Sequence, residues 1–125
     1  MRGESILVVD DNATNLKLMR VLLSKAGYDV HTSASAIETL VTLKWLRPHL
    51  ILLDLQLPDV DGLTLTHHLK EDPKTHDIPI VALTAHAMAG DEQKALAAGC
   101  DGYVTKPVDS EVILDYLARR FGSTA

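Results

Sequence analysis

Five polar side chains of this 125-residue chain stand where short apolar runs come to an end. One of the four runs concerned ends in Asp10 and Asp11, and the other three end in Asp54, Thr84 and Lys106. If these runs are parallel strands, their carboxyl ends meet at one edge of the sheet, where open α/β sheets bind ligands. A carboxylate at the end of a buried strand is costly unless a nearby group compensates its charge. The pattern therefore predicts one pocket that holds three carboxylates, a hydroxyl group and an ammonium group.

Three neighbouring carboxylates repel one another and cannot all stay ionised without help. A hard divalent cation removes that difficulty, and Mg²⁺ takes oxygen ligands while it commonly shares its site with a phosphate. An aspartate can act as a nucleophile toward phosphorus, and a metal offsets the repulsion between attacker and phosphate. Lys106 would then oppose the charge of an incoming phosphate, and Thr84 would donate a hydrogen bond to it. These residue types predict a Mg²⁺ site that acts on a phosphoryl group.

The rest of the chain supplies the strands and helices that such a pocket needs. Apolar runs predict strands at Ile6–Val9, Tyr28–Ser33, roughly 49–53, Ile78–Leu83 and Asp101–Thr105. Helices are predicted between these strands and after the last one. The first begins at a cap, Asn12 or Thr14, and runs to about Ala26. The others run from Ser35 to about Leu46, from about Leu63 to Lys70, from about Met88 to Ala98, and from Ser110 to about Phe121. Strands that alternate with helices indicate a doubly wound α/β fold with a parallel sheet. We expect a single domain over 1–125, with five helices and five strands in the order 2-1-3-4-5.

Composition narrows the classes of function. The formal net charge of −5 argues against nucleic acid or an anionic membrane as the direct partner, because both require clustered Lys and Arg. A single cysteine, Cys100, excludes an internal disulfide and fits a reducing compartment. No apolar run approaches the ~20 residues of a membrane span, and no signal peptide is visible. We therefore expect a cytoplasmic protein without nucleic-acid or membrane contacts.

Four motifs at the strand ends resemble those of the bacterial response-regulator receiver domain, the CheY-like unit of two-component signalling. They are VVDDN (8–12), LLDLQLPDVDG (52–62), ALTA (82–85) and YVTKPV (103–108). The resemblance implies that Asp54 accepts a phosphoryl group from the phosphohistidine of a histidine kinase. It implies that Thr84 and Lys106 contact the phosphoryl oxygens. The implied ligands of Mg²⁺ are Asp10, Asp11, Asp54 and the backbone carbonyl of Gln56.

The same resemblance assigns roles around the pocket. The Lys106–Pro107 bond would be cis and would aim the lysine. Thr84 and Tyr103 would form a switch that remodels the face made by the fourth helix, the fifth strand and the fifth helix. A strand tyrosine is also explained by β propensity alone. Gln56 and His86 would border the phosphoryl group and tune how long it lasts.

The first helix offers a candidate surface for the kinase. The helical spacing predicts that one stripe of this helix faces the sheet, and that stripe contains Asn15, Leu18, Met19, Leu22 and Ala26. Leu16 and Leu23 then fall on the flank of the helix. Receivers commonly use this helix to contact the helical bundle of the kinase, which predicts a docking role for Leu16 and Leu23. A wide buried face would explain both leucines equally well.

The implied partners are a histidine kinase or phosphotransfer domain and a downstream protein target, with a weak homodimer left open. Three other classes of protein share part of this pattern. An aspartate-nucleophile phosphatase of the haloacid-dehalogenase kind needs a second acid two residues after the nucleophile, where this chain has Gln56. A flavodoxin-like flavin carrier needs a first loop rich in Ser, Thr and Gly, whereas Asp10 and Asp11 would repel a phosphate. A degenerate receiver that only binds proteins does not need all five site residues. We therefore expect a switch whose only catalysis is on itself.

Overall fold

The computed structural model describes residues 3–84, 90–106 and 108–121. Its strands are β1 (Ser5–Val9), β2 (Asp29–Ser33), β3 (Leu50–Asp54), β4 (Ile80–Thr84) and β5 (Gly102–Thr105). They alternate with α1 (Ala13–Lys25), α2 (Ala36–Thr42), α3 (Gly62–Glu71), α4 (Asp91–Ala98) and α5 (Ser110–Phe121). Neighbouring strands pair in parallel in the order β2-β1-β3-β4-β5. The predicted doubly wound α/β fold with this strand order is confirmed.

The middle of the sheet is buried on both faces, since every residue of β1, β3 and β4 is buried. Alternate strand residues point to opposite faces and enter two separate apolar cores. The core that includes residues of α1 and α5 contains Ile6, Val8, Met19, Leu23, Leu50, Leu52, Ile113 and Leu117. The core that includes residues of α2, α3 and α4 contains Leu7, Val9, Ala36, Ile51, Leu53, Leu65, Leu69 and Ala95. The two cores hold the strands in register, so the residues that follow them share one edge.

The apolar face of α1 is wider than the predicted stripe, because Leu16 and Leu23 contact the core as well as the predicted Met19, Leu22 and Ala26. Leu16, Met19 and Leu23 pack into the core at the i, i+3, i+7 spacing of one helical stripe. Leu23 is fully buried, whereas Leu18, predicted to point inward, is 63% exposed. The predicted docking role of Leu23 is therefore wrong, because the core covers its side chain. Leu16 is only half-buried against the same core, so its docking role stays a prediction.

α2 is shorter than predicted. It begins after Ser35, the predicted start, and ends at Thr42 instead of Leu46. The N–H groups of Lys44 and Trp45 bond to carbonyl oxygens only three residues back, which tightens the chain into turns. No helix in the described part of the chain is long and apolar enough to cross a membrane.

Pro79 explains why the fourth strand begins two residues later than predicted. A proline has no N–H to donate to a sheet ladder, so β4 begins at Ile80, and Ile78 bonds within the preceding turn. β3 and β4 each extend one residue beyond their predicted ends. Asp54 is thus the last residue of β3, and Thr84 is the last residue of β4.

Candidate functional site

Asp10, Asp54 and Lys106 meet at the carboxyl edge of the sheet. Lys106 Nζ lies 2.9 Å from Asp54 Oδ2 and 3.0 Å from Asp10 Oδ2, so one ammonium group bridges two carboxylates. β1 and β3 are neighbours and Val9 pairs with Leu53, which places residues 10 and 54 side by side. Lys106 directly follows β5 and reaches across the end of β4. Residues that are far apart in the chain thus form one charged cluster.

Hydrogen bonds fix the orientation of both carboxylates. Asn12 N donates to Asp10 Oδ1 at 2.9 Å, and Asn15 Nδ2 donates to Asp10 Oδ2 at 3.3 Å. Gln56 N donates to Asp54 Oδ1 at 2.9 Å. The sequence predicts Asn15 only as part of the buried stripe of the first helix, without a role in the site. An amide among apolar stripe residues was the signal that could have identified it.

Asp11 completes an acidic cluster. Carboxylate oxygens of Asp10, Asp11 and Asp54 all lie within 4.8 Å of one another. Asp10 and Asp54 are 3% and 4% exposed, whereas Asp11 is open to solvent. Three carboxylates beside a single ammonium group leave an excess of buried negative charge. Oxygen ligands at this spacing, with one side open to water, fit Mg²⁺.

Burial dominates the electrostatics of Asp54. Desolvation raises the pKa of Asp54, and the opposing hydrogen bonds from Gln56 and Lys106 do not cancel it. Burial alone would lower the pKa of Lys106, but its hydrogen bonds to Asp54 and Asp10 outweigh burial and raise that pKa. The lysine is therefore firmly cationic, while the ionised form of Asp54 is disfavoured until further positive charge arrives.

Thr84 and Tyr103 lie on the two strands beside this cluster. Thr84 is 4% exposed at the end of β4, and its carbonyl oxygen accepts a hydrogen bond from Lys106 N at 2.6 Å. That bond ties the chain after β5 to the end of β4. Tyr103 is half-buried on β5 and packs against the core that contains residues of α2, α3 and α4. Two other predicted site residues, His86 and Pro107, lie outside the described residues.

An apolar cavity of about 400 Å³ opens beside the charged cluster. Its lining consists of Asp10, Asn15, Leu18, Met19, Leu83, Lys106 and Val108. Sequence reasoning missed it, because it forms where side chains of α1, the end of β4 and the segment before α5 come together. The exposed Leu18 forms part of its wall, so an apolar surface adjoins the carboxylates.

A parallel 2-1-3-4-5 sheet that gathers aspartates and a lysine at its carboxyl edge defines the class of response-regulator receivers. Residues 6–118 match the family described as the response regulator receiver domain, and the chain belongs to that family. The sequence-based prediction of the family is thereby confirmed.

Known proteins resemble the chain over nearly its whole length. The polar-differentiation response regulator DivK of Brucella anthropi is 41% identical over 118 residues, which cover 91% of this chain and 96% of DivK. A putative response regulator from Chloroflexus aurantiacus has a similar structure, with a TM-score of 0.89, 29% identity, and coverage of 94% of this chain and 97% of that one. The receiver domain of a sensor histidine kinase from Pseudomonas aeruginosa gives a TM-score of 0.87 and 34% identity, over 98% of this chain and all 100% of that one. That structure carries a magnesium ion coordinated in its active-site cleft.

Proposed function

We propose that this receiver accepts a phosphoryl group on Asp54 from a histidine kinase or a phosphotransfer domain, with Mg²⁺ bound. The observation that carries the proposal is the bridge of Lys106 Nζ to Asp54 and Asp10, with the exposed Asp11 beside it. A buried carboxylate whose pKa is raised by burial, held at a sheet edge among charged partners, is typical of a functional site.

Asp54 acts as the nucleophile in this proposal. One carboxylate oxygen forms a bond to phosphorus while the P–N bond of the phosphohistidine breaks, and the departing imidazole nitrogen takes a proton from water. Lys106 neutralises the growing charge on the phosphoryl oxygens from its position beside Asp54. Thr84 supplies a hydroxyl group at the end of the neighbouring strand for one of those oxygens.

Asp10, Asp11, Asp54 and the backbone carbonyl of Gln56 would hold the Mg²⁺ ion. When bound, the ion supplies positive charge that offsets the repulsion between the carboxylate and the phosphate. The hydrogen bonds from Asn12 N to Asp10 and from Gln56 N to Asp54 orient both carboxylates beforehand, so little reorganisation is needed.

The signal leaves through the face of α4, β5 and α5 in this proposal. Thr84 and Tyr103 form the switch, and the 2.6 Å bond from Lys106 N to Thr84 O joins the site to the chain after β5. Gln56 and His86 set the lifetime of the aspartyl phosphate. A downstream protein binds the altered face. The receiver itself works in the cytoplasm and turns over no external substrate.

Kinase docking is proposed at α1, at the cavity next to the charged cluster. Leu18 is 63% exposed and Val21 is 49% exposed on this helix. Leu18, Met19 and Val108 give the cavity an apolar wall beside Lys106. An apolar surface next to a charged centre suits a helical partner that brings its phosphohistidine to the site.

Labelling with acetyl phosphate and MgCl₂ tests the assignment. Wild type and Asp77→Asn, which changes an exposed aspartate paired with Arg47, should be labelled equally. Asp54→Asn and wild type in excess EDTA should remain unlabelled. Label that persists on Asp54→Asn would overturn the choice of acceptor, and steady turnover of p-nitrophenyl phosphate would favour the phosphatase alternative.

A further inference from the structure

Asp59 joins the loop after β3 to the start of α2. Its Oδ1 accepts hydrogen bonds from Ala36 N at 2.9 Å and Val60 N at 3.0 Å, and its Oδ2 accepts one from Ile37 N at 2.9 Å. Asp59 is 23 residues from Ala36 in the chain, so the contact links two separate elements. Because both carboxylate oxygens bond to α2, the loop cannot shift relative to the helix without breaking them.

The same loop is held at its two ends. Gln56 N donates to Asp54 Oδ1 at 2.9 Å, and Gly62 N donates to Leu55 O at 3.0 Å. A Cβ on Gly62 would lie 2.5 Å from Leu55 Cα, so the loop closes back on itself very tightly. Asp59 therefore adds an attachment to a neighbouring helix near the middle of an already short loop.

α2 is a firm anchor that does not depend on Asp59 alone. Ser35 Oγ accepts a hydrogen bond from Glu38 N at 3.1 Å and caps the helix from within its own segment. Thr39 Oγ1 and Ser33 Oγ lie 2.8 Å apart and join the helix to β2. Ala36 is 1% exposed in the core. The first turn of α2 is thus fixed to the sheet, and Asp59 transfers that rigidity to the loop.

We propose that Asp59 is a positioning residue for the metal site: it anchors the loop to α2 and so holds Gln56 where its carbonyl serves as a ligand. The inference rests on the proposed function, in which the Gln56 carbonyl binds Mg²⁺. Mg²⁺ demands near-ideal ligand geometry, so a loose ligand loop lowers its affinity. Residues that orient metal ligands from outside typically change affinity 10–100-fold. Because Asp59 lies three positions after Gln56 and acts through the backbone between them, we expect a smaller effect of about 3- to 10-fold.

Calorimetric titration with MgCl₂ separates this role from plain helix capping. Asp59→Ala removes both bonds to α2 and should weaken Mg²⁺ binding about 3- to 10-fold. Asp59→Asn keeps one acceptor oxygen and should lie between Asp59→Ala and wild type. Ser35→Ala is the matched control, because it also removes a cap from α2 but leaves the loop attached, and its Mg²⁺ affinity should stay within about twofold of wild type. Metal-free melting curves should show similar losses of stability for Asp59→Ala and Ser35→Ala, with both variants folded at the titration temperature.

The outcomes of this titration distinguish failure of the positioning role from failure of the proposed function. If Asp59→Ala and Ser35→Ala bind Mg²⁺ with equal affinity, the positioning role is overturned. The proposed function still stands in that case, provided that wild type binds Mg²⁺. Equal weakening by Asp59→Asn and Asp59→Ala would also overturn the positioning role, because loss of charge would then explain the effect. Wild type that binds no Mg²⁺ would overturn the proposed function itself.

Discussion

Replacing Asp54 with asparagine is expected to stabilise the metal-free protein, although it removes the proposed acceptor. Asp54 is 4% exposed and shares its surroundings with Asp10 and Asp11. Its pKa is raised, first by burial, which means that folding disfavours its ionised form. Asparagine keeps an oxygen for the hydrogen bond from Gln56 N and has no charge to desolvate.

The size of the effect depends mainly on the burial of the charge, and to a smaller extent on the neighbouring charges. Two unit charges separated by 4.8 Å, the upper limit for the oxygens of this cluster, repel by roughly 2–3 kcal/mol at effective dielectric constants of about 25–35. Asp54→Asn relieves the burial of a charge and the repulsion from Asp10, but it loses the attraction to Lys106 at 2.9 Å. The lysine keeps its bond to Asp10 at 3.0 Å. We expect a net gain in the free energy of unfolding of about 1–2 kcal/mol at pH 7, or about 3–8 °C in melting temperature.

The gain should depend on pH with a defined sign. Below the ordinary pKa of 3.8, Asp54 is protonated in both the folded and the unfolded state, so it carries no penalty. As the pH rises from there through the raised folded pKa, the unfolded state ionises first and wild type loses stability. The difference between Asp54→Asn and wild type should therefore be small near pH 3.5 and full at pH 7.

Urea denaturation in EDTA at several pH values measures this difference, with Asp77→Asn as the control. The pKa of Asp77 is lowered, first by its hydrogen bond with Arg47, so its carboxylate favours folding above pH 3.8 and Asp77→Asn should not be stabilised. MgCl₂ should then stabilise wild type more than Asp54→Asn. A variant that is less stable than wild type at pH 7 in EDTA would refute the argument, as would a gain that does not change with pH.

Three further predictions concern packing and docking. Gly62→Ala places a methyl group 2.5 Å from Leu55 Cα and should lower the free energy of unfolding by about 3 kcal/mol or more in urea titrations. Leu23→Ala should lower the free energy of unfolding by about 2–5 kcal/mol because the side chain is fully buried, whereas Leu18→Ala should change it by no more than about 0.5 kcal/mol. Equal losses for the two variants would contradict the observed face of α1. Leu18→Asp should slow phosphotransfer from the partner kinase about tenfold while labelling by acetyl phosphate is unchanged; Leu96→Asp, at an exposed leucine of α4, is the control.

Much of the architecture could be predicted because its signals are local. Runs such as Leu50–Leu53 are apolar throughout, which is typical of strands covered on both faces. Ser35 caps the following helix through its own side chain, so the start of that helix was predicted correctly. The wrong boundaries fall at ends that depend on single hydrogen bonds. Pro79 delays the start of β4. Turns whose N–H groups bond to the carbonyl three residues back shorten α2 at Thr42.

The charged cluster could be predicted from strand ends, but its supporting contacts could not. A carboxylate directly after an apolar run marks the edge of a parallel sheet, and this rule identified Asp10 and Asp54. Asp59 had no such mark, because its partners are backbone N–H groups that any sequence would offer. The apolar cavity beside Lys106 also depends on side chains from several elements at once.

The sequence by itself determined the alternation of strands and helices, and which polar residues close the strands, because each depends on neighbours in the chain. Tertiary structure alone decided which face α1 buries. Periodicity shows that a helix has an apolar stripe, but several registers of a leucine-rich helix satisfy it, and packing against the sheet selects one. That choice buried Leu23 and exposed Leu18. It also took tertiary structure to bring one ammonium group within 3.0 Å of two buried carboxylates, since those three residues are up to 96 positions apart.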